Sequence, residues 1–444
     1  MSTRQISARA VALAGLESCL RRRRALDESL AAAGGYAALA PRDRAFAQLL
    51  ATTVVRRLGQ IDALIAHCLE RPLPRTASTV HDVLRLGAAQ LLFLETPAHA
   101  AVDTSVRLAE ETRQPAFKGL VNAVMRRLVR EGPELLAGQD APRLNTPDWL
   151  WESWVAAYGA DMARAIAAAH LADPPLDITV KGDAETWAAA LGAVTLPTGT
   201  LRRPGGAHGG GGLVTELPGF AEGAWWVQDA AAAIPATLLG EVRDRTVVDL
   251  CAAPGGKTAQ LAARGARVTA VDSSKPRLDL VARNLSRLGL AAELVLADVR
   301  GWRPKEPAPF VLLDAPCTAT GAIRRHPDVA RLKGPSDVTR LTAIQDGLLG
   351  AAVEMLAPGG VLVFCTCSLQ PEEGPERVAA LLQRGAPLAR VPIVSHEVGG
   401  LAELLTAEGD LRTLPCHLGG AESAAGGKPG GLDGFYAARL RRQS

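Results

Sequence analysis

The chain of 444 residues has no apolar run near the roughly 18 residues of a membrane-spanning helix, because Pro235 and scattered charges break its longest Ala/Leu stretches. A membrane-spanning helix is therefore excluded, and a soluble protein is expected. A disulfide framework is missing too: the seven cysteines are odd in number and follow no framework spacing. A reducing cytoplasm fits such cysteine usage. An export signal is not expected either. Val11 to Leu20 follows Arg4 and Arg9, but Glu17 interrupts the stretch and Arg21 to Arg24 stand where a cleavage site belongs. No internal repeat is present, and strong net charge is absent at +3.

That small charge is unevenly distributed. Residues 1–135 carry 19 Lys/Arg against 13 Asp/Glu, or +6, and the remainder carries −3. The basic end is a candidate polyanion surface, and a solvated helix face is the plainer alternative.

The hydrophobic period changes along the chain. From residue 5 to about 130 it is helical, with Ile61, Leu64, Ile65, Cys68 and Leu69 on one stripe and Phe117, Leu120, Val121, Val124 and Leu128 on another. An all-α domain over 1–135 follows, with a boundary expected where Gly132-Pro133 leads to Thr146-Pro147. A small α+β module is expected over 146–235, with a strand at Leu176 to Lys181, a helix at Ala184 to Leu191 and a glycine-rich loop at 205–212. Over 236–444, apolar runs alternate with amphipathic helices. The runs are Val247 to Leu250, Val268 to Val271, Glu293 to Leu296, Phe310 to Leu313 and Val361 to Phe364, with a last strand near Phe435 to Leu440. The alternation predicts a doubly wound, mostly parallel α/β sheet. The glycine-rich stretch 419–431 reads as a loop.

Chemistry concentrates at the ends of those strands. Asp249-Leu-Cys-Ala-Ala-Pro-Gly-Gly-Lys-Thr258 turns from a strand through glycines into a helix, where a ligand can approach the backbone. Sixteen residues after Gly256 the next strand ends at Asp272, suited to both hydroxyls of a ribose, and Asp298 closes the third strand near an adenine edge. Together these predict a nucleoside site. Two thiols follow at later strand ends, Cys317 in Asp314-Ala-Pro-Cys and Cys367 in Thr366-Cys-Ser. Ligands bind outside the carboxyl ends of strands in open α/β sheets, so both thiols fall where a substrate would lie.

Three other readings compete. A P-loop NTPase is suggested by Cys251 to Thr258, but Cys251 replaces the first glycine and Ala-Ala-Pro removes flexibility and one amide donor. A non-enzymatic RNA-binding factor would show decay at the reactive positions, yet Cys317, Cys367, Asp272 and Asp314 are all present. A DNA cytosine methyltransferase would use the Pro-Cys thiol as its nucleophile. A nucleoside cofactor combined with a cysteine fits methylation at C5 of a pyrimidine, because C5 becomes nucleophilic only after a thiolate adds at C6. The cofactor would be S-adenosylmethionine. Cys317 is placed to serve as a second acid/base group, and Asp314 to bind the N3/N4 edge of the base.

From about residue 5 to 442 the chain resembles the RNA 5-methylcytosine methyltransferases of the Sun group, in their bacterial RsmB (Sun/Fmu) branch. The resemblance rests on Arg44-Ala-Phe-Ala, Pro97-Ala-His-Ala-Ala-Val-Asp-Thr, Val121-Asn-Ala-Val-Met-Arg-Arg-Leu, the two cysteine motifs, Arg324-Arg-His-Pro-Asp and Gly434-Phe-Tyr-Ala-Ala-Arg-Leu. It implies a Rossmann-like S-adenosylmethionine-dependent methyltransferase domain preceded by an all-α NusB-like RNA-binding domain and a small RNA-holding module. It implies methylation of a cytosine in 16S ribosomal RNA, free or in a small-subunit precursor, by a monomer; tRNA or 23S ribosomal RNA is the alternative target. By the same resemblance Cys367 is the nucleophile, Cys317 assists release and Asp314 orients the base. The cofactor set is Cys251, Ala252, Ala253, Pro254, Gly255, Gly256, Lys257, Asp272, Arg277, Asp298 and Asp314, and no metal is expected.

Some positions depart from that pattern or stay open. Relatives usually carry Asn where this chain has Gly374, which leaves Glu372 and Glu373 as expected helix-start carboxylates. Cys365 beside Cys367 is read as a buried neighbour rather than a metal ligand, and Cys19 and Cys68 as core. Trp225 and Trp226 are expected in the core rather than stacking on a base. Arg324, Arg325, Arg439, Arg441 and Arg442 are candidate phosphate contacts, while His326, His417 and Cys416 receive no role.

Overall fold

Helical periodicity in the first third of the chain becomes a succession of helices. The computed structural model describes residues 7–112, 114–206, 213–418 and 430–443. Most of the two expected glycine-rich loops, 207–212 and 419–429, lies outside the described residues. The chain divides into one unit of residues 1–171 with 326–334 and a second of 172–325 with 335–444.

The first unit contains α1 (Ala8–Arg22), α2 (Leu26–Ala31), α3 (Pro41–Arg56), α4 (Leu58–Cys68), α5 (Ser78–Leu92), α6 (Ala98–Glu111), α7 (Lys118–Ala137), α8 (Ala141–Asn145), α9 (Asp148–Tyr158) and α10 (Ala160–His170). Ser7 caps α1, its hydroxyl accepting the Ala10 N–H at 3.2 Å. The core closes on Leu16, Leu50, Ile61, Leu84, Met125 and Leu128, with Cys19 and Cys68 buried among them. The expected boundary near 132–146 is not where the unit ends. α7 runs straight through Gly132-Pro133, where the glycine lets the helix pack on Leu92, and α8 docks by Asn145, whose amide donates to Gln60 Oε1 at 2.9 Å. Residues 148–170 thus belong to the helical unit rather than to the α+β module.

The second unit opens with a four-stranded antiparallel sheet of order β2-β3-β1-β4, from β1 (Pro175–Val180), β2 (Val194–Thr195), β3 (Leu201–Gly206) and β4 (Trp225–Val227). One helix, α11 (Ala184–Leu191), joins β1 to β2. Trp225 and Trp226 are buried, and each indole N–H donates at 2.8 Å, to Pro218 O and Gln228 Oε1 respectively. They are core, as expected.

The larger sheet carries the chemistry. In chain order it uses α12 (Ala230–Thr237), β5 (Thr246–Leu250), α13 (Gly256–Ala263), β6 (Arg267–Asp272), α14 (Lys275–Leu288), β7 (Glu293–Leu296), β8 (Ala308–Asp314), α15 (Val329–Leu332), α16 (Pro335–Met355), β9 (Leu356–Thr366), α17 (Pro375–Gln383), β10 (Leu388–Arg390), β11 (Leu411–Arg412) and β12 (Tyr436–Arg442). Among these, α15 lies in the segment that belongs to the helical unit. The strands run β10-β12-β9-β8-β5-β6-β7, with β11 paired to β12. β9 through β7 are parallel, and β12 is antiparallel to β9. Alternate residues serve opposite faces: Val247, Leu312 and Val363 face one core, while Val248, Leu313 and Phe364 face the other. Among the described residues no helix is long and apolar enough to cross a membrane.

Candidate active site

After β5 the chain winds outward through β6 and β7, then returns to lay β8 on the other side of β5. This reversal falls between β5 and β8, and ligands in such sheets usually bind at the carboxyl ends of the strands at that point. The glycine turn leaves β5 there, and Asp314 ends β8 beside Cys365 of β9.

Beyond Asp314 and Thr366 the two strands give way to loops that carry the thiols. Cys317 Sγ and Cys367 Sγ lie 3.4 Å apart, both half-buried. The contact with Cys367, then burial, then the Cys367 and Glu373 charges push the Cys317 thiol well above its ordinary range. Cys365 is fully buried with Sγ 3.6 Å from Asp314 Oδ1, and burial followed by the Asp314 charge keeps its thiol protonated. Asp314 also takes a 2.7 Å ion pair from Lys257 Nζ, which lies 5.0 Å from the Phe435 ring centre. Burial opposes the Lys257 charge, yet Asp314 and the neighbouring cysteines outweigh it and raise the ammonium above its usual range. Lys257 thus points at the Asp314 carboxylate and the thiols, although its backbone belongs to the glycine turn.

The turn itself is built by backbone constraints. Gly255 has φ +99°, and a Cβ there would come within 3.0 Å of Val281. Cys251 also adopts positive φ, and burial lifts its thiol to about 12. Asp272 accepts the Ser274 N–H at 2.9 Å and the Ala253 N–H at 3.2 Å. The Arg277 guanidinium donates to Ala253 O. Asp298 is half-exposed and bound by Arg300, whose Nε donates at 3.0 Å and Nη2 at 2.6 Å; those bonds lower its pKa to about 2. At the end of β5, Asp249 is fully buried: Oδ2 accepts the Thr258 hydroxyl at 2.6 Å, while Oδ1 has no hydrogen-bond partner.

Two residues here escaped the reading of the sequence. Asp249 looked like a strand residue, and only burial marks it out. Glu373 was expected at a helix start, but α17 begins at Pro375, and the 3₁₀ turn Pro371–Glu373 carries this side chain inward until it is fully buried between the cysteine loops. Four expected phosphate contacts are also corrected. Arg324 is buried against Asp229 and Asp433, and Arg325 joins the same pair. Arg439 pairs with Glu397, and Arg442 donates to Leu356 O. Arg324, Arg325 and Arg439 are held in ion pairs within the fold and Arg442 by backbone carbonyls, and of this set only Arg441 is exposed. His326 lies 3.9 Å from Asp27, and His417 Nδ1 accepts the Leu414 N–H at 3.2 Å.

A doubly wound sheet with a glycine turn after its first strand and acidic residues ending the next ones defines a Rossmann-like methyltransferase. Residues 236–441 match the model of the 16S rRNA methyltransferase RsmB/F family, and residues 6–130 match the NusB family. The Pseudomonas putida ribosomal RNA small subunit methyltransferase B is 39% identical over 414 residues, covering 90% of each protein. Its Vibrio cholerae namesake is 36% identical over 371 residues, 79% of this chain and 83% of that protein. The crystal structure of PH0851 aligns with TM-score 0.74 over 99% of both chains at 21% identity, which speaks to the fold alone. This chain belongs to the RsmB family of ribosomal RNA small subunit methyltransferases.

The cofactor of this class is S-adenosylmethionine. The residues present suit it. Asp272 keeps acceptor capacity beyond its two backbone donors, enough for a vicinal diol, and the orphaned buried oxygen of Asp249 suits an ammonium or its water.

Proposed function

We propose that this protein methylates C5 of a cytosine in 16S ribosomal RNA through a covalent bond between Cys367 and C6. The observation that supports the reading is the pair of thiols 3.4 Å apart at the strand-order reversal, with Asp314 beside them. When bound, S-adenosylmethionine supplies an electrophilic methyl group. Asp272, with the turn from Cys251 to Gly256, would hold its nucleoside part, with Arg277 and Asp298 at the rim.

Cys367 as thiolate adds to C6, and the C5–C6 electron pair becomes available for bonding at C5. Asp314 accepts from the amino edge of the base, and Lys257, paired to it at 2.7 Å, keeps that carboxylate in place. After transfer, Cys317 as thiolate takes the C5 proton, the freed electron pair re-forms the C5–C6 double bond, and the bond between sulfur and C6 breaks with Cys367 leaving as thiolate. Cys317 is the acid/base group next to the departing sulfur. The target base must be single-stranded or flipped, at a cost of roughly a few kcal/mol if it begins stacked.

Covalent trapping tests the assignment. With S-adenosylmethionine and 16S RNA, Cys317→Ala is expected to accumulate a denaturant-resistant protein–RNA adduct. Cys367→Ala is expected to give neither adduct nor methylated cytosine. Methylation by Cys367→Ala, or attack by Cys317, refutes the assignment.

A further inference from the structure

The two thiols hang from separate loops, and the ladder between β8 and β9 ends at the pair Asp314–Cys365. Past that point two backbone bonds still join the loops, from Ala315 N–H to Cys365 O at 2.9 Å and from Gly321 N–H to Cys367 O at 3.0 Å, and a side chain ties them closer to the thiols. The Glu373 carboxylate spans both loops. Its Oε1 accepts the Thr318 N–H at 2.8 Å and the Gln345 amide at 3.4 Å, while its Oε2 accepts the Ser368 hydroxyl at 2.6 Å and the Thr318 hydroxyl. Thr318 directly follows Cys317, and Ser368 directly follows Cys367. The backbone completes the tie, since Glu373 O accepts the Thr366 hydroxyl at 3.1 Å. Gln345 on α16 also donates to Pro316 O at 2.9 Å, fixing the Cys317 loop from behind. Glu373, Thr318, Ser368, Thr366 and Gln345 are all fully buried.

Among the described residues Glu373 forms no ion pair, and a buried carboxylate without a cation is costlier to hold than an amide. What the carboxylate alone offers is an acceptor-only group with about four lone-pair positions, which matches donors converging from both loops.

We propose that Glu373 is a positioning residue for methyl transfer: it clamps the Cys317 and Cys367 loops and holds their thiols at working separation. The proposal rests on the two-thiol reading given above. Glu373 also lies close enough to add to the upward shift of the Cys317 thiol, after the contact with Cys367 and burial.

A chemical ruler tests the clamp without turnover. Diamide oxidises two adjacent thiols to a disulfide while its azo group takes up both protons and both electrons to become a hydrazine. The rate at which the Cys317–Cys367 disulfide forms in the full-length protein, read by peptide mass spectrometry, therefore reports their approach. Glu373→Ala is expected to slow that rate ~10-fold and to lower kcat ~100-fold with KM for S-adenosylmethionine unchanged, as a misplacement of ~1 Å would. Glu373→Gln is expected to recover the disulfide rate to within about threefold, because its carbonyl still accepts the Thr318 N–H and the hydroxyls can turn to accept its amide. Wild-type disulfide rate and turnover in Glu373→Ala overturn the proposal. If that variant does not fold, the pair Thr318→Val with Ser368→Ala removes one side-chain donor from each loop, and a wild-type disulfide rate there overturns it equally. A slowed disulfide with undiminished methylation shows the loops tied by Glu373 but overturns its role in methyl transfer, and counts against the two-thiol reading.

Discussion

At the floor of the glycine turn, burial raises the Asp249 carboxyl to about 7, with the Thr258 hydroxyl opposing the shift. An unfolded aspartate ionises near ~3.9, so the folded protein holds this proton to higher pH. The stability it confers is therefore complete below that value and is lost as the pH climbs to about 7. Relative to Asp249→Asn, wild type is expected to lose on the order of 2 kcal/mol between about pH 5.5 and 8.5. Urea midpoints of both cofactor-free proteins at those two pH values measure it, and parallel profiles would contradict it. Gly374 carries a second prediction. A Cβ there would sit 2.9 Å from the Tyr436 ring and 3.1 Å from Arg412 Nη2, whose Nη1 holds Ser368 O at 2.6 Å. Gly374→Asn is expected to destabilise this chain by ~1–3 kcal/mol through overpacking, read as a lower melting temperature. Residue types announced the thiols and Asp272. They did not announce Glu373, because a glutamate two residues after a proline reads as a helix start until the turn is seen to face inward.

Among the elements, the arginines after the Cys317 loop are fold residues. Arg324 donates to Asp433 at 2.7 Å, to Gly430 O at 2.7 Å and to Asp229, while Asp177 of β1 takes the buried Arg202 of β3 at 2.7 Å. Removing Arg324 leaves two buried carboxylates, Asp229 and Asp433, to Arg325 alone. Arg324→Ala is thus expected to cost ~3–5 kcal/mol in denaturant unfolding, whereas an exposed arginine in a phosphate contact would leave stability nearly unchanged. The strands of the large sheet were legible because apolar runs buried on both faces leave a continuous hydrophobic signature. The limit of the helical unit was not. Gly132-Pro133 reads as a break, but Gly132 packs on Leu92 and α7 continues past both, since tertiary contact outweighs local propensity.

For the molecule as a whole, the basic bias of residues 1–135 bears on RNA binding. Arg21 is bound by Glu17 and Asp82, and Arg23 donates to Leu332 O, while Arg22 and Arg24 are exposed. If this end grips phosphate, the double variant Arg22→Ala, Arg24→Ala should weaken 16S RNA binding and flatten the dependence of log affinity on log salt by about two units. Filter binding across a salt series measures the slope, and an unchanged slope places the phosphate contacts elsewhere. The sequence by itself determined the helical-then-α/β order, the glycine turn and the thiols, because these rest on hydrophobic period and on residue types fixed at strand ends. Only the tertiary structure decided which arginines are consumed in buried pairs, that Lys257 turns to Asp314, and that Glu373 lies between the cysteine loops. The physical reason is the same in each case: a charged side chain declares its chemistry in the sequence, but its partner and its burial come from residues brought together only by the fold.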